Sequence, residues 1–410
     1  MRLSSALAQR VALALVIGGT GACSGTPPLP SPLAAAPVER GSGCATSTVR
    51  IDFDFEEASA SRCVIRGERS FAILIGPEHA PPINPSPWYA FRYRASGSAD
   101  ISVELDYLGA AHRYAPKLTA GGTVAPLSAS VAADGMSATL SLPAGEGIVS
   151  GQELFGNDRY DALLDRLAAL PAAERRTLGA SLDGRLLSAV HIGDTKAPRL
   201  VVLIGRAHPP EITGALAMDA FLRALADEIA AGRVDTAATQ FLILPLLNPD
   251  GVARGHWRAN RGGVDLNRDW GNFSQPETRA VKNWLDRLPA GVRPVAMVDF
   301  HSTQHSLFYV QGADETTPAE EAFLAAWLGG KEKALPGYPF TIERRNANPG
   351  SGTSKNWFHA TYGIPAYTYE AGDEADRAGI DAAAGKLARA FLSALPRPAR
   401  VGGPASATGN

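Results

Sequence analysis

"GRAHPPEITGALAMDAFL", residues 205–222, changes texture twice over a short span. It opens as the end of the apolar run "RLVVLIG", turns through Pro209 and Pro210, and continues as the helical pattern "TGALAMDAFLRALADEIAA". A continuous apolar strand that runs straight into a helix is the repeating unit of an α/β sheet covered on both faces. His208 and Glu211 stand at the turn, and an HxxE spacing at a helix start aims both side chains at one point above the strand end. By itself this spacing fits an ordinary helix start as well as half of a metal site.

The same alternation extends outward from about Phe155. Apolar runs "QFLILPLLN", "RPVAMVDF" and "PAYTYEAG" alternate with helical stretches "YDALLDRLAAL", "PETRAVKNWLDRL", "AEEAFLAAWLGGKEKAL" and "IDAAAGKLARAFLSAL". This predicts an α/β domain over 148–397, a mixed β-sheet with helices on both faces. Its polar residues collect where ligands bind in such sheets, at the carboxyl ends of the strands. His208 and Glu211 follow one strand, Asn248-Pro249-Asp250-Gly251 a second, His301 a third, and Glu370 closes a fourth.

Of the eight histidines, His208, His256, His301 and His305 fall near that edge. His191 is expected at an exposed turn before Gly193-Asp194, and His359 in a surface helix. Two His and one Glu form a recurring ligand set of catalytic zinc. His208, Glu211 and His301 are therefore the candidate ligands of one Zn²⁺ per chain, with the prolines stiffening the turn. The loop "NPDGVARGHWRANRGGVDLNRDW", Asn248 to Trp270, adds Arg254, Arg258, Arg261 and Arg268. A guanidinium binds a carboxylate with two parallel hydrogen bonds, and near a metal it can steady an oxyanion. The pocket should prefer a substrate with a free carboxylate.

Upstream, "VRIDFDFE", "SFAILIG", "WYAFRYRA", "ADISVELDYL" and "MSATLSLPA" read as strands at short spacing with no helix between them. They predict a small antiparallel β-sandwich over 44–147. Residues 1–22 have the features of a signal peptide, with Arg2 and Arg10 ahead of the short apolar stretch Val11–Ile17. Gly21-Ala22-Cys23-Ser24 resembles the lipobox of bacterial lipoproteins, with Thr20 where that motif usually has Leu. The segment then specifies either a lipid anchor on Cys23 or an ordinary cleaved signal. Both place the mature chain outside the cytoplasm, in the periplasm or anchored to a membrane. A Pro/Gly/Ser-rich tether spans 23–43 and a flexible tail 398–410. Cys44 and Cys63 are either a disulfide or two separate thiols. A formal net charge of −2 over 410 residues argues against a nucleic-acid partner held by bulk charge.

The order HxxE, NPDG, WR, NR, a strand-end His and a strand-end Glu, from Gly205 to Glu370, resembles the zinc carboxypeptidases of the carboxypeptidase A type. The wording is most similar to the cytosolic carboxypeptidase, or deglutamylase-like, branch and its bacterial relatives. "HPPE" resembles that branch's HPGE, and "NPSPWYAFRYRASG…ADISVELDY", Asn84 to Tyr107, resembles its N-terminal β-sandwich. The resemblance implies that His208, Glu211 and His301 hold zinc. It implies that Asn267 and Arg268 anchor the terminal carboxylate of a peptide, that Arg258 polarises the scissile carbonyl, and that Glu370 is the general base. Asn348 stands where the family has a tyrosine that caps the substrate, with Tyr338 upstream as a substitute. Lys355 and Asn356 fall at the side-chain pocket, and Lys355, with Arg344 and Arg345, points to acidic ends (Glu, Asp or γ-glutamyl), with Asp373 and Glu374 offsetting some of that charge. Two other zinc activities share these features: deacylation of N-acyl amino acids and cleavage of peptidoglycan stem peptides. A non-catalytic binding lipoprotein is a third class.

Overall fold

The computed structural model describes residues 40–79, 85–346 and 351–396. The signal segment, Cys23, most of the tether, Asn348 and the 398–410 tail lie outside the described residues. No described helix is long and apolar enough to cross a membrane.

The β-rich region consists of two sheets. Six strands run in the spatial order Cys44–Ala45, Val49–Asp52, Ala90–Ala95, Gly145–Ser150, Lys117–Ala120 and Thr123–Pro126. Five run in the order Arg62–Gly67, Ser70–Ile75, Ile101–Tyr107, Ser137–Leu142 and Ala129–Val131. Among these strands every pairing is antiparallel except Ser70–Ile75 with Ile101–Tyr107. Between those two strands the chain crosses to the other sheet and back, so it re-enters in its original direction. The alternating burial of Ile101–Tyr107 shows one face on the core and one outside. Cys44 and Cys63 are joined by a disulfide that links the two sheets at their edges.

The α/β region carries an eight-stranded mixed sheet in the order Ala173–Ala180, Leu186–Ile192, Thr239–Leu244, Arg199–Gly205, Arg293–Thr303, Ala366–Gly372, Leu307–Val310 and Thr341–Arg344. The four strands from Thr239–Leu244 to Ala366–Gly372 are mutually parallel and bring their carboxyl ends to one edge. Val201, Leu203, Val298 and Phe300 face an apolar layer with Met218, Phe221, Trp327 and Phe391, from helices Ile212–Ala230, Pro318–Trp327 and Arg377–Ala394. The alternate residues Leu200, Val202 and Ile204 face Val281, Leu285 and Phe358 of helices Pro276–Leu285 and Ser354–Tyr362. Both faces are covered, as the continuous apolar strands require.

His191 departs from expectation. It is buried on the Leu186–Ile192 strand, its Nε2 2.7 Å from Gln240 Oε1. The turn begins only at Gly193, whose φ of 110° takes the chain off the sheet. The β-rich and α/β regions also share an apolar cluster, in which Trp88 and Tyr89 meet Ile212, Val252 and Trp257.

Candidate active site

Glu211 is the residue at which the proline turn hands over to helix Ile212–Ala230. The start of that helix is fixed to the neighbouring strand. Gly214 N donates to Ser302 Oγ at 2.7 Å, and Thr213 Oγ1 donates to the same oxygen at 2.8 Å. Only glycine fits at 214, because a Cβ there would lie 2.4 Å from His301 O. The approach sets Glu211 against His301.

His208, Glu211 and His301 are all buried, and their donor atoms lie within 4.8 Å of one another. His208 Nδ1 is 2.7 Å from Glu211 Oε1, and His301 Nδ1 is 2.7 Å from Glu211 Oε2. The two Nδ1 atoms approach to 3.2 Å. Each ring is backed by an acid at its other nitrogen. His208 Nε2 is 2.9 Å from Asp265 Oδ1, and His301 Nε2 is 3.0 Å from Asp299 Oδ2. Histidines that ligate a metal characteristically donate their second N–H to a carboxylate. Two converging Nδ1 atoms, a shared carboxylate and two backing acids are a donor set that fits zinc.

The charges follow from the same contacts. Burial raises the Glu211 carboxyl, but His208 and His301 outweigh it and hold the group well below the usual range. Burial works against a charged His301, yet Asp299 and Glu211 hold it well above an ordinary histidine. Asp265 is likewise held far down, burial being outweighed by His208 and Arg258.

Glu370 lies opposite His301 in the ladder between parallel strands. Its Oε2 is buried with no hydrogen-bond partner. Burial pushes its carboxyl up to about 8, with Glu211 and Asp299 adding to the rise and His301 opposing it. His208, Glu211, His301 and Glu370 line a cavity of about 1400 Å³.

The loop arginines divide. Arg258 and Arg268 line the cavity. Arg258 Nε donates to Asp265 Oδ2 at 2.7 Å, which fixes its guanidinium. Arg268 Nη1 donates to Asn267 O, and among the described residues no carboxylate pairs with it. Arg254 and Arg261 turn away to Asp183. Asn267 is occupied within the protein, its Oδ1 accepting from Ser354 N at 2.9 Å and its Nδ2 3.3 Å from His301 Nε2. His305 lines the cavity, while His256 packs against His79 instead.

Lys355 lines the cavity, and its Nζ donates to Gln311 Oε1 and Arg345 O, both at 2.9 Å. Burial lowers its pKa to about 8. Arg345 also lines the cavity, but Arg344 points outward to Glu321, which corrects its expected part in the pocket. Tyr338 is no substitute for the capping tyrosine, because it is buried in the core beside Tyr369. The cavity tyrosine is Tyr309, and its ring lies beneath Arg345. Asp373 and Glu374 reach the cavity already paired, to Arg113 and Lys117 of the β-rich region.

Asp265, Asp299 and Arg113 were not among the expected site residues. Asp299 stands two before His301, and period-two alternation puts both on one face of the strand. Asp265 sits inside the loop that carries the arginines. No local pattern marks Arg113, which comes from the other region of the chain.

A buried two-histidine, one-carboxylate cluster at the carboxyl ends of parallel strands, with an unpartnered glutamate beside it, makes a candidate metal site on a mixed α/β sheet. The chain belongs to the zinc carboxypeptidase family, whose model matches residues 160–387. Similar proteins include an uncharacterized protein of Zymomonas mobilis, 32% identical over 179 residues, which are 43% of this chain and 42% of that one. Cytosolic carboxypeptidase 2 of Danio rerio is 31% identical over 134 residues, 32% of this chain and 19% of the relative. The match thus spans less than half the length of these curated relatives. Among solved structures, a metallo-carboxypeptidase from Burkholderia cenocepacia aligns with a TM-score of 0.71 at 18% identity, covering 85% of this chain and 97% of that one. One from Pseudomonas aeruginosa, in complex with (2-guanidinoethylmercapto)succinic acid, aligns at 0.67 with 21% identity, covering 84% and 97%. At such identities the likeness shows a shared fold, and it includes the β-rich region as well as the α/β region.

Proposed function

We propose that the chain is a zinc-dependent carboxypeptidase that removes the C-terminal residue of peptides and favours acidic ends. The observation that carries this reading is the buried His208–Glu211–His301 cluster opening into the same cavity as the unpartnered Oε2 of Glu370. Zinc held by those three side chains would supply Lewis acidity, making water a nucleophile at neutral pH and polarising a carbonyl. Arg268, which has no acid partner among the described residues, holds the substrate's terminal carboxylate, with Asn267 bracing its loop. Arg258, aimed by Asp265, stabilises the charge that develops on the scissile carbonyl oxygen. Glu370 takes a proton from the attacking water and returns it to the leaving amine as the C–N bond breaks.

The acidic preference rests on Lys355, an ammonium in the cavity wall hydrogen-bonded to two neutral acceptors. The cavity exceeds the roughly 300–1,000 Å³ typical of small-ligand sites, which favours a peptide over an N-acyl amino acid. Export, through the signal segment with Cys23 as a lipid anchor, belongs to the same proposal. It rests on the sequence and is tested by labelled-palmitate incorporation in the producing cell.

The activity is tested by incubating the zinc-loaded chain with peptides varied at their last residue and identifying the products by mass spectrometry. Single terminal residues should be released, fastest for Glu and Asp. Internal cleavage, or hydrolysis confined to N-acetylaspartate, would overturn the reading.

A further inference from the structure

The segment that carries Arg258 is held from outside the α/β region. Trp257 N, Arg258 N and Ala259 N all donate to the carboxylate of Glu78, at 2.7, 3.0 and 2.7 Å. Glu78 follows the Ser70–Ile75 strand of the β-rich region. Three successive backbone N–H groups converging on one point make a concave site for an anion. The segment is also pinned just before Trp257. A Cβ on Gly255, whose φ is 62°, would lie 2.6 Å from Ala58 O, so this turn rests directly on the β-rich region. Trp257 itself is buried in the cluster shared by the two regions.

We infer that Glu78 is a positioning residue for the reaction: it holds the 257–259 backbone so that the Arg258 guanidinium meets the oxygen on which charge develops. This rests on the role proposed for Arg258. The contacts run without a gap from Glu78 through the Arg258 backbone and side chain to Asp265, and from Asp265 to the ligand His208. Stabilisation of developing charge depends on donors fixed beforehand, and a displacement of about 1 Å can cost 100-fold in rate. The β-rich region is then a working part of the active centre, because it supplies the anion that sets a catalytic arginine. Glutamine at this position has the same shape but one acceptor oxygen, and its amide N–H groups would face backbone donors.

The test compares the zinc-loaded full chain with its Glu78→Gln and Glu78→Ala variants, each alone and combined with Arg258→Ala. Glu78→Gln should lower kcat 10- to 100-fold with KM within about threefold and zinc content unchanged. It should also speed amide hydrogen exchange at 257–259, a readout that needs no substrate. In the Arg258→Ala background, removing Glu78 should cost nothing further. Unchanged exchange and kcat in Glu78→Gln, or an equal loss with and without Arg258, would overturn the inference. A wild-type chain that releases no amino acid overturns the proposed activity instead, and the exchange result still decides whether Glu78 holds the segment.

Discussion

His301 and Glu370 stand directly opposite each other on adjacent parallel strands, so a proposed metal ligand and the proposed base are fixed by one hydrogen-bonded ladder. The distance between them is set by sheet geometry and not by a loop. The acids behind the histidines are the adjustable parts. Asp265→Asn and Asp299→Asn should each weaken zinc binding about 10- to 100-fold, the cost typical of losing such a partner. Competition with a chromophoric chelator measures this, and unchanged affinity would mean that the two acids serve only the fold.

Gly214 tests the contact between helix and strand. Alanine there would press its Cβ into the His301 backbone, 2.4 Å from the oxygen. The strain should cost about 1–3 kcal/mol of stability, the range for overpacked sites. It should also lower zinc affinity, because the same helix start carries Glu211. Thermal unfolding with and without zinc reads both effects, and the stabilisation by zinc should shrink.

The proposed acidic preference should depend on pH through Lys355. Its pKa is lowered to about 8, so the side chain is a cation below that pH and becomes neutral as the pH rises through it. The kcat/KM ratio for Glu-ended over Leu-ended peptides should therefore fall between pH 7 and 9. A charge-assisted contact is worth about 1.5–3 kcal/mol, so the fall should reach 10- to 100-fold at full deprotonation. Lys355→Met should have a low ratio with no such inflection.

The Cys44–Cys63 disulfide closes a sequence separation of 19. Replacing both cysteines with alanine should destabilise the chain by about 3 kcal/mol, from the added freedom of the unfolded state. The midpoint of denaturant unfolding measures this, and an unchanged midpoint would show that the shared core alone secures that edge.

How much of this was legible in the sequence differs from one element to the next. Long strands such as Arg199–Gly205 were readable because burial on both faces leaves an unbroken apolar run, here Leu200 to Ile204. His208, Glu211, His301 and Glu370 were readable because each follows such a strand or falls near its carboxyl end. The Ala173–Ala180 strand was not, because it lies at the sheet edge and its "AERRTLGA" is largely exposed, with no alternation to detect. The short Leu307–Val310 and Thr341–Arg344 strands were missed for want of length. Glu78, Arg113 and the pairing of Asp265 with His208 depend on contacts between distant segments, which no local period encodes. Arg344 and Arg345 are adjacent in sequence, yet one turns outward to Glu321 while the other lines the cavity.

The proposed role of Glu370 is to move the proton for a hydrolysis carried out at the His208–Glu211–His301 centre. It is tested most directly by measuring release of the C-terminal amino acid by wild type and Glu370→Gln at matched zinc content. Both proteins should hold one zinc per chain, and the variant should lose roughly 100- to 10,000-fold in kcat, the usual contribution of a general base. Equal rates in the two proteins, both holding zinc, would contradict it.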